Sequence, residues 1–404
     1  MSEYYIAADK IMAQNGKEIK HVIDAQGNFV YKSKNYYTWS GIRSVVRSGL
    51  AQTYYPVGSI IYDNFDSSTG TAFQVVGYDK HFDPALTAQG YTHSMTLCQL
   101  KLDLRAFDNT EAFLYLEQEL PAGTYRFTIP NYDASYGGNK TYYFTSTGAV
   151  PVGGQIVMNW PYNQTPKTVS AYTSQTSTTA ITGFSALTLT EWVDGTSPQA
   201  TDIGTIAGPT SQTGSSTYGK MNHIHRARYG SNNYYQSGLR QWMNASGTGG
   251  TWWEPQTIFD RPYGNRTNDG YLSTLNPDMV GMLGTPTIES LANSYFETAS
   301  LDGTTFTTSQ KYTISTDKMF ALSPVEVGFS TTDTSVGTLM NYYANATNDT
   351  RIKNRKDTGA AYYWWLRTPN PSYAYYVRYV DSSGALSYST ARNTYGVAPA
   401  CIIQ

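Results

Sequence analysis

The alternation of apolar and polar residues predicts one helix near the start of the chain. This helix covers Tyr37–Leu50, where apolar residues recur at helical spacing. Four residues form its apolar face: Trp39, Ile42, Val46 and Leu50. Thr38 or Ser40 can cap the first turn, and Gly49 can end the helix. Residues 1–55 are therefore predicted to be an N-terminal segment with one helix.

From Tyr55 to about Asn159 the pattern changes to short alternating segments interrupted by Gly, Pro, Asn and Asp, which is typical of β-strands. Two Ser/Thr-rich stretches, 165–182 and 195–218, surround one more strand. We interpret 56–195 as a β-sandwich-like domain and place the domain boundary in the second stretch.

Residues 196–404 show a mixed pattern. An amphipathic helix is predicted over Ser231–Ser246, and a short helix is predicted to begin at Asn276 with Pro277 in its first turn. The apolar face of the longer helix has four residues: Tyr235, Leu239, Trp242 and Met243. Several short strands follow, so the predicted fold class is α+β, with a β-rich region preceding this domain.

Composition limits the possible partners. The chain has 404 residues, but only 14% are charged and the formal net charge is -2, which gives no overall attraction to nucleic acid or anionic membranes. The start has no apolar signal core, and no apolar segment is long enough to span a bilayer. We therefore expect synthesis in a cytoplasm without a signal peptide. Cys98 and Cys401 can form one long-range disulfide, but two unpaired buried thiols are favoured.

Motifs for catalysis or metal binding are weak. His223 and His225 share one face of a possible strand, but zinc needs more ligands, so a structural role is favoured. The Asn276–Asp278 tripeptide is similar to a calcium-lectin motif, yet a helix cap is the favoured interpretation. The basic run Arg351–Asp357 is interpreted as a solvated loop. No cofactor is predicted.

The C-terminal stretch 361–402 is rich in tyrosine. Tyrosines occur as neighbours, such as Tyr375 and Tyr376, and a strand cannot bury both members of such a pair on one face. Many of these rings are therefore expected to point to solvent. Exposed tyrosine beside serine, threonine and aspartate is typical of antibody-like binding surfaces.

The segments "YYWWLRTP", "VRYV", "SGAL" and "GVAPA" resemble the variable C-terminal region of target proteins of diversity-generating retroelements, which occur in gut bacteria and their phages. The upstream "SNNYYQSGLRQWMN" and "DKMFALSPVEV" are similar to the helix and strand that precede this region in the family. The resemblance covers roughly 222–402. It implies a C-type-lectin fold, related to formylglycine-generating enzymes, with the variable residues displayed on one face.

In that family a reverse transcriptase miscopies template adenines, so Asn codons change to Tyr, Ser, Asp, Thr, Arg or His codons. The resemblance implies thirteen variable ligand-binding residues: Tyr362, Tyr363, Tyr373, Tyr375, Tyr376, Tyr379, Asp381, Ser387, Tyr388, Ser389, Thr390, Arg392 and Tyr395. It implies a constant framework that includes Trp364, Trp365, Leu366, Gly384, Leu386, Gly396, Val397 and Pro399.

The resemblance implies a non-enzymatic ligand-binding protein, either a receptor-binding component of a phage tail in the virion or a protein on the extracellular face of a host cell. The expected partner is a bacterial surface protein or glycan, without nucleic acid or membrane insertion, and a homo-oligomer such as a trimer is expected. The lectin calcium residues and the paired cysteines of formylglycine enzymes are missing, so neither activity is carried over. The alternative is an undiversified structural tail protein that uses the Tyr-rich face for oligomer contacts.

Overall fold

Strands outnumber helices in the computed structural model of the protein, and the two kinds of element do not alternate regularly, so the fold is α+β as predicted. The structure describes residues 11–12, 18–19, 21–23, 29–32, 38–109, 113–116, 119–129, 140–151, 154–157, 168–171, 181–205, 215–218, 221–224, 230–256, 262–291, 311–314, 316–330, 336–370 and 376–404.

The described strands fall into three groups along the chain. The first group is β1 Ile11–Met12, β2 Glu18–Ile19, β3 His21–Ile23, β4 Phe29–Lys32, β5 Ile60–Tyr62, β6 Ala72–Tyr78, β7 Met95–Gln99 and β8 Asp103–Ala106. The second group is β9 Phe113–Leu116, β10 Gly123–Ile129, β11 Lys140–Ser146, β12 Gly154–Val157, β13 Thr168–Ala171, β14 Leu187–Thr188, β15 Thr190–Glu191, β16 Thr201–Thr205, β17 Ser215–Tyr218 and β18 Met221–Ile224. The third group is β19 Ile288–Leu291, β20 Lys311–Ile314, β21 Met319–Phe320, β22 Lys353–Asn354, β23 Ala361–Tyr362, β24 Trp364–Pro369, β25 Tyr376–Val380, β26 Leu386–Thr390, β27 Thr394–Val397 and β28 Ala400–Ile403.

The helices of the described residues are short. The α-helices are α1 Trp39–Arg47, α2 Ala51–Tyr54, α3 Pro84–Ala88, α4 Gly238–Asn244, α5 Pro277–Met282 and α6 Asn348–Arg351. Three 3-10 helices cover Tyr234–Gln236, Tyr271–Thr274 and Asn341–Tyr343.

Helix α1 confirms the predicted N-terminal helix but is shorter. The Thr38 side chain accepts a hydrogen bond from the backbone N–H of Gly41 and so caps the first turn. Val45 joins the buried face, whereas Leu50 lies beyond the helix with 46% of its surface exposed. Helix α2 follows directly, so the described residues before position 55 include two helices rather than one.

The predicted helix over Ser231–Ser246 is divided in two. Its first part is the 3-10 helix, and α4 begins after Ser237, whose hydroxyl accepts a hydrogen bond from Arg240 N at 3.1 Å. Ser237, a capping residue in the middle of the amphipathic pattern, thus starts a new helix. Leu239 and Trp242 are buried, as predicted. At α5 the Asn276 side chain accepts a hydrogen bond from Asp278 N at 2.8 Å, which confirms the helix cap.

One five-stranded sheet has the order β21-β28-β7-β6-β5. Strand β28 pairs antiparallel with β7, with Cys401 opposite Leu97. Alternate residues of β28 enter two different cores, because Cys401 packs in one and Ile402 in the other. Cys98 lies in the same core as Ile402, so the two thiols face opposite sides of the sheet. Both are free and buried, which confirms the prediction of unpaired thiols.

A second five-stranded sheet, in the order β26-β25-β24-β27-β8, carries the C-terminal Tyr-rich stretch. Strand β8 pairs antiparallel with β27, and Trp39 of α1 packs in the same core as Trp365. These contacts correct the predicted division into 56–195 and 196–404, because strands from residues 60–106 belong to sheets with C-terminal strands. Local sequence patterns cannot reveal pairing between strands so far apart.

The β-sandwich arrangement is present, but between residues 113 and 224. One sheet has the order β15-β11-β10-β16, and the other has the order β14-β13-β12-β9-β18-β17. Phe127 and Tyr142 of the first sheet share a hydrophobic core with Leu116 and Val169 of the second. Two sheets that bury a common face are the defining arrangement of a sandwich.

The sandwich is inserted into the α+β domain at two adjacent points. The chain leaves this domain at Asn109 and returns at Gly230, where a Cβ would lie only 2.6 Å from the Asn109 carbonyl oxygen. The Asp108 carboxylate accepts hydrogen bonds from the backbone N–H of Ser231 at 3.0 Å and of Gly238 at 3.3 Å. These contacts fix both ends of the inserted segment to the domain.

Candidate ligand-binding surface

The predicted variable residues lie on strands β23–β27 and on the turns that connect them. Tyr373 and Tyr375 lie outside the described residues, and the other eleven are described. None of these eleven side chains is buried, and Tyr388 is the most exposed, at 47%. Their partial exposure allows each of them to contact a partner.

Four tyrosine rings form what we call the aromatic cluster: Tyr362, Tyr363, Tyr379 and Tyr395. Tyr379 and Tyr395 pack on the buried Trp365, and Tyr362 and Tyr363 join the cluster through contacts with other tyrosine rings. The ring centroid of Trp365 lies 4.7 Å from the ring centroid of Tyr395 and 6.0 Å from that of Tyr379. Tyr363 lies 5.1 Å from Tyr395, and Tyr362 lies 5.2 Å from Tyr363. The rings meet in tilted or edge-on geometry, which suits aromatic quadrupoles and gives a continuous half-exposed surface.

Two serines of β26 hold the aromatic cluster in place. The Tyr395 hydroxyl donates to Ser389 Oγ at 3.1 Å, and Asn393 Nδ2 donates to the same oxygen at 2.8 Å. Burial raises the pKa of the Tyr379 hydroxyl, and a hydrogen bond with Ser387 partly offsets that rise. Hydrogen bonds with these two serines thus orient the phenol groups of Tyr379 and Tyr395.

A second tyrosine group consists of Tyr376 and Tyr388, with Arg378 beside them. The two ring centroids are 5.0 Å apart, and Arg378 Cζ lies 5.6 Å from the Tyr388 centroid. Arg378 is directly opposite Tyr388 in the β25–β26 register, and Tyr376 is opposite Thr390. Cross-strand neighbours of this kind share one face of the sheet.

The two groups lie on opposite faces of the sheet. Tyr379 packs against the core that contains Val377 and Trp365, whereas Val380 belongs to the other core. Since side chains alternate along β25, Tyr376 and Arg378 must share the face of Val380. The expectation that the variable residues are displayed on one face of the sheet is therefore wrong.

Asp381 organises the β25–β26 turn. Its carboxylate accepts hydrogen bonds from Ser383 N at 2.8 Å, from Ser383 Oγ at 2.7 Å and from Ala385 N at 3.0 Å. Partial burial opposes ionisation, but these hydrogen bonds outweigh it and lower the pKa of Asp381. The turn also brings Gly384 against α6, where a Cβ would lie 1.9 Å from the Asn348 carbonyl oxygen. Asp381 therefore has a structural role at this position.

The β26–β27 turn lies beside the insertion point of the sandwich. Ala391 is fully buried, and its carbonyl accepts hydrogen bonds from the backbone N–H of Phe107 at 2.9 Å and of Asp108 at 3.0 Å. Thr390 and Arg392, on either side of Ala391, remain half-buried. The buried Ala391 thus separates two of the predicted variable positions, Thr390 and Arg392.

The predicted framework residues of β24 are buried beneath this surface. Trp364, Trp365 and Leu366 expose 1% or less of their surface. The indole of Trp364 donates to the Arg351 carbonyl at 3.0 Å, and that of Trp365 donates to the Arg105 carbonyl at 3.1 Å. Both indole N–H groups are therefore satisfied by backbone atoms of residues outside 361–402.

A buried ion network continues the framework. Arg367 donates to the Glu326 carboxylate at 2.5 and 2.7 Å, and both side chains are fully buried. His81 Nε2 lies 3.0 Å from the same carboxylate. Burial opposes ionisation of Glu326, but its interactions with Arg367 and, to a smaller extent, His81 outweigh this effect and lower its pKa to about 2. The network links β24 to residues far away in sequence.

The basic run Arg351–Asp357 is only partly a solvated loop. Arg351 and Lys353 are buried: the Arg351 Nε donates to the Val327 carbonyl at 2.8 Å and Lys353 Nζ donates to the Gln99 carbonyl at 2.7 Å. Arg355 is at the edge of the aromatic cluster.

Sequence reasoning missed two arginines at these surfaces, Arg355 and Arg378. Arg355 Cζ lies 5.0 Å from the Tyr362 ring centroid, and Arg378 lies over Tyr388. Strand alternation between Val377 and Tyr379 was a usable signal for Arg378. No local signal places Arg355 beside Tyr362, since the contact depends on the pairing of β22 with β23.

The pair His223 and His225 falls mostly outside the described part of the structure. His223 lies on β18, but its side chain is not described, and His225 lies outside the described residues. Within the described part of the chain, no three His, Cys, Asp or Glu residues are grouped so that they could hold a metal ion. None of the helices in that part is both long and apolar enough to cross a membrane.

Residues 211–404 match a family described as "Domain of unknown function (DUF6273)". The matched part includes the last two strands of the sandwich and all elements from α4 to β28. Neither the curated proteins nor the solved structures include a match to this chain.

Proposed function

We propose that the protein is a non-enzymatic ligand-binding protein whose C-terminal tyrosine surface is diversified by a retroelement. The observation that carries this proposal is the aromatic cluster: four half-buried tyrosines touch one another, and two of them, Tyr379 and Tyr395, stand on a buried tryptophan whose indole N–H is satisfied elsewhere. Tyrosine supplies large contact area with few rotatable bonds, which suits a binding surface. The buried framework keeps its shape when the surface residues change.

The burial pattern is consistent with tolerance of diversification. Core positions lose roughly 1–3 kcal/mol when they receive an oversized or unpaired polar side chain. The described variable positions are half-buried or exposed, so they can hold Tyr, Ser or Thr without that cost. Under this proposal the α+β domain is a C-type-lectin-type scaffold.

The proposed biological setting is a phage tail or a bacterial cell surface, where the protein recognises a bacterial surface protein or glycan as a homo-oligomer. Support comes from the sequence resemblance of the C-terminal region. Aromatic residues such as those of the cluster dominate the energetics of protein interfaces.

The test removes the tyrosine rings and leaves the framework. Tyr362, Tyr363, Tyr379 and Tyr395 are changed together to Ser in the full chain, and binding of the labelled protein to a panel of cultured gut bacteria is measured by flow cytometry. Loss of binding with a cooperative unfolding transition supports the proposal. Retained binding to the same strain contradicts it.

The matched control changes half-buried tyrosines elsewhere, Tyr62 and Tyr91, to Ser. These changes should leave cell binding intact. If instead the cluster variant loses only its oligomeric state in light scattering and the wild type binds no cell, the tyrosines are oligomer contacts. The coding DNA offers an independent test, because a diversified gene requires a near-repeat of codons 361–402 with AAC at variable positions.

A further inference from the structure

The inserted sandwich has a second surface with ligand-binding chemistry, on the outer face of the sheet β15-β11-β10-β16. Phe127 and Tyr142 of β10 and β11 point into the sandwich core. Because side chains alternate along a strand, Arg126 on β10 and Tyr143 on β11 point outward. These two residues are directly opposite each other in the register.

A row of four side chains crosses this outer face. Tyr143 is opposite Arg126, and Arg126 is in register with Asp202 of β16, whose carboxylate lies 3.5 Å from the Arg126 Nε. Trp192, just after β15, lies with its ring centroid 4.5 Å from Arg126 Cζ. The row thus presents two aromatic rings, one cation and one anion on adjacent strands.

Threonine hydroxyls flank the row on both sides. Thr124 and Thr145 are cross-strand partners with their hydroxyl oxygens 3.0 Å apart, and Thr128 and Thr141 form an equivalent pair at 3.0 Å. In each pair only one hydroxyl can donate to the other, so each pair retains one donor and free lone pairs. The face therefore offers hydroxyl groups above and below a row of rings and charges.

The row is open to solvent and its charges balance. Arg126 exposes 31% and Asp202 exposes 54% of their side chains, while Tyr143 and Trp192 are half-buried. The ion pair lacks hydrogen-bond geometry, Asp202 Oδ1 accepts a hydrogen bond from Gly204 N at 2.8 Å, and Arg126 Nε is buried. The other carboxylate oxygen and the terminal guanidinium nitrogens therefore remain to bind a ligand. One cation and one anion give no preference for a charged polymer such as nucleic acid.

Flat aromatic rings beside paired donors and acceptors match one chemical class of ligand. Sugar rings have an apolar C–H face that packs on aromatic rings and equatorial hydroxyls that both donate and accept hydrogen bonds. From this row we infer that the sandwich binds a neutral polysaccharide, with Tyr143 and Trp192 as stacking residues. Arg126, Asp202 and the threonine pairs supply the hydrogen bonds.

This site is separate from the aromatic cluster and does not depend on retroelement diversification.

The test uses the full chain in affinity gel electrophoresis with neutral polysaccharides, namely dextran, mannan, xylan and laminarin, and with heparin as an anionic comparison. Retarded migration in at least one neutral polysaccharide is expected. No retardation in any neutral polysaccharide, or retardation in heparin alone, overturns the inference.

Two kinds of variant locate the binding. Tyr143→Ala and Trp192→Ala are each expected to weaken binding by roughly tenfold or more, because one aromatic contact is lost. Val193→Ala, a change at a 54% exposed neighbour, is the matched control and should not alter binding. Unchanged binding in both aromatic variants contradicts the inference.

A near-isosteric variant covers the possibility that an aromatic change disturbs folding. Thr124→Val with Thr128→Val removes two hydroxyls and preserves side-chain shape, and weaker retardation with an unchanged unfolding transition is expected. The variant with four serines in the aromatic cluster should bind polysaccharide like the wild type. If that variant loses polysaccharide binding, the ligand contacts the cluster and not the sandwich.

Discussion

Trp365 and Tyr395 have ring centroids 4.7 Å apart, yet Trp365 is 1% exposed and Tyr395 is half-buried. One pair of touching rings thus includes a predicted framework residue and a predicted variable residue. The Trp365 indole is bonded to the Arg105 carbonyl, whereas the Tyr395 hydroxyl is bonded to Ser389, another predicted variable residue. Under the proposed function, the boundary between framework and variable surface passes between these two rings.

The two rings should differ sharply in their effect on stability. Trp365→Ala is expected to lower the free energy of unfolding by about 3–5 kcal/mol, because it leaves a cavity in the core. Tyr395→Ser should cost about 1–2 kcal/mol, for the lost ring contacts and hydrogen bond. Urea unfolding of both variants measures the difference. Equal losses would show that Tyr395 is a framework residue.

The buried Glu326–Arg367 pair predicts a pH-dependent loss of stability. The pKa of Glu326 is lowered from 4.5 to about 2, so its contribution is complete above pH 4.5 and is lost as the pH falls toward 2. Glu326→Gln should cost about 3–5 kcal/mol at neutral pH, because it leaves Arg367 buried without its counter-ion.

Thermal unfolding between pH 6 and pH 2.5 measures this effect. The melting temperature of the wild type should fall more steeply below pH 4.5 than that of Glu326→Gln. Glu119→Gln, at an exposed carboxylate, is the control and should follow the wild type. Parallel pH profiles for the wild type and Glu326→Gln would refute the prediction.

Two glycines with left-handed backbone test the packing of the β25–β26 turn. Gly384 has φ +82 and Gly359 has φ +71, so an alanine at either position is strained by about 1–2 kcal/mol. At Gly384 the added Cβ would also lie 1.9 Å from the Asn348 carbonyl oxygen, while nothing lies within 4 Å at Gly359.

Gly384→Ala should therefore be clearly more destabilising than Gly359→Ala in chemical denaturation. The turn must move away from α6 to relieve the contact. Equal losses would mean that backbone conformation alone decides the cost and that contact with α6 is unimportant.

The insertion of the sandwich predicts which fragments fold. A fragment that begins at residue 196 lacks β5–β8 and should not unfold cooperatively, because both five-stranded sheets lose strands. A chain in which a short Gly-Ser linker replaces residues 110–229 should retain the α+β domain, since Asn109 and Gly230 are adjacent. Calorimetry of the two proteins distinguishes them. Cooperative unfolding of the first fragment would contradict the observed sheet pairing.

The two thiols should be unreactive in the folded protein. Cys98 and Cys401 are buried in different cores on opposite faces of one sheet. Ellman's reagent should therefore detect neither thiol until denaturant is added, and then it should detect both. Reducing agent should leave the melting temperature unchanged. A thiol count of zero in denaturant would reveal a disulfide and contradict this arrangement.

Local sequence signals were sufficient for the elements whose structure depends on near neighbours. The caps at Thr38 and Asn276 follow from short patterns, whereas the burial of Trp364, Trp365 and Leu366 was expected from the family resemblance. The division of Ser231–Ser246 was missed because the apolar spacing continues across Ser237, whose hydroxyl caps a new helix.

Long-range pairing was beyond local patterns. The alternation of β7 and β8 identifies strands, but it does not indicate that they pair with β28 and β27. The same limit explains why the structural role of Asp381 was not predicted. An aspartate that stabilises a turn and an aspartate on a binding surface have the same sequence signature. The strand register decides which side chains of β25 lie on each face of the sheet, and this register is fixed by tertiary contacts.

The position of β28 between β21 and β7 has a consequence for synthesis on the ribosome. Residues 400–403 form an inner strand, so the sheet that contains β5–β7 cannot close until these residues have been translated. The inserted sandwich, by contrast, is complete once residue 224 has emerged. Nascent chains should therefore carry a folded middle and an open scaffold until residues 400–403 have emerged, and chains stalled before that point should be cleaved by proteases outside residues 113–224.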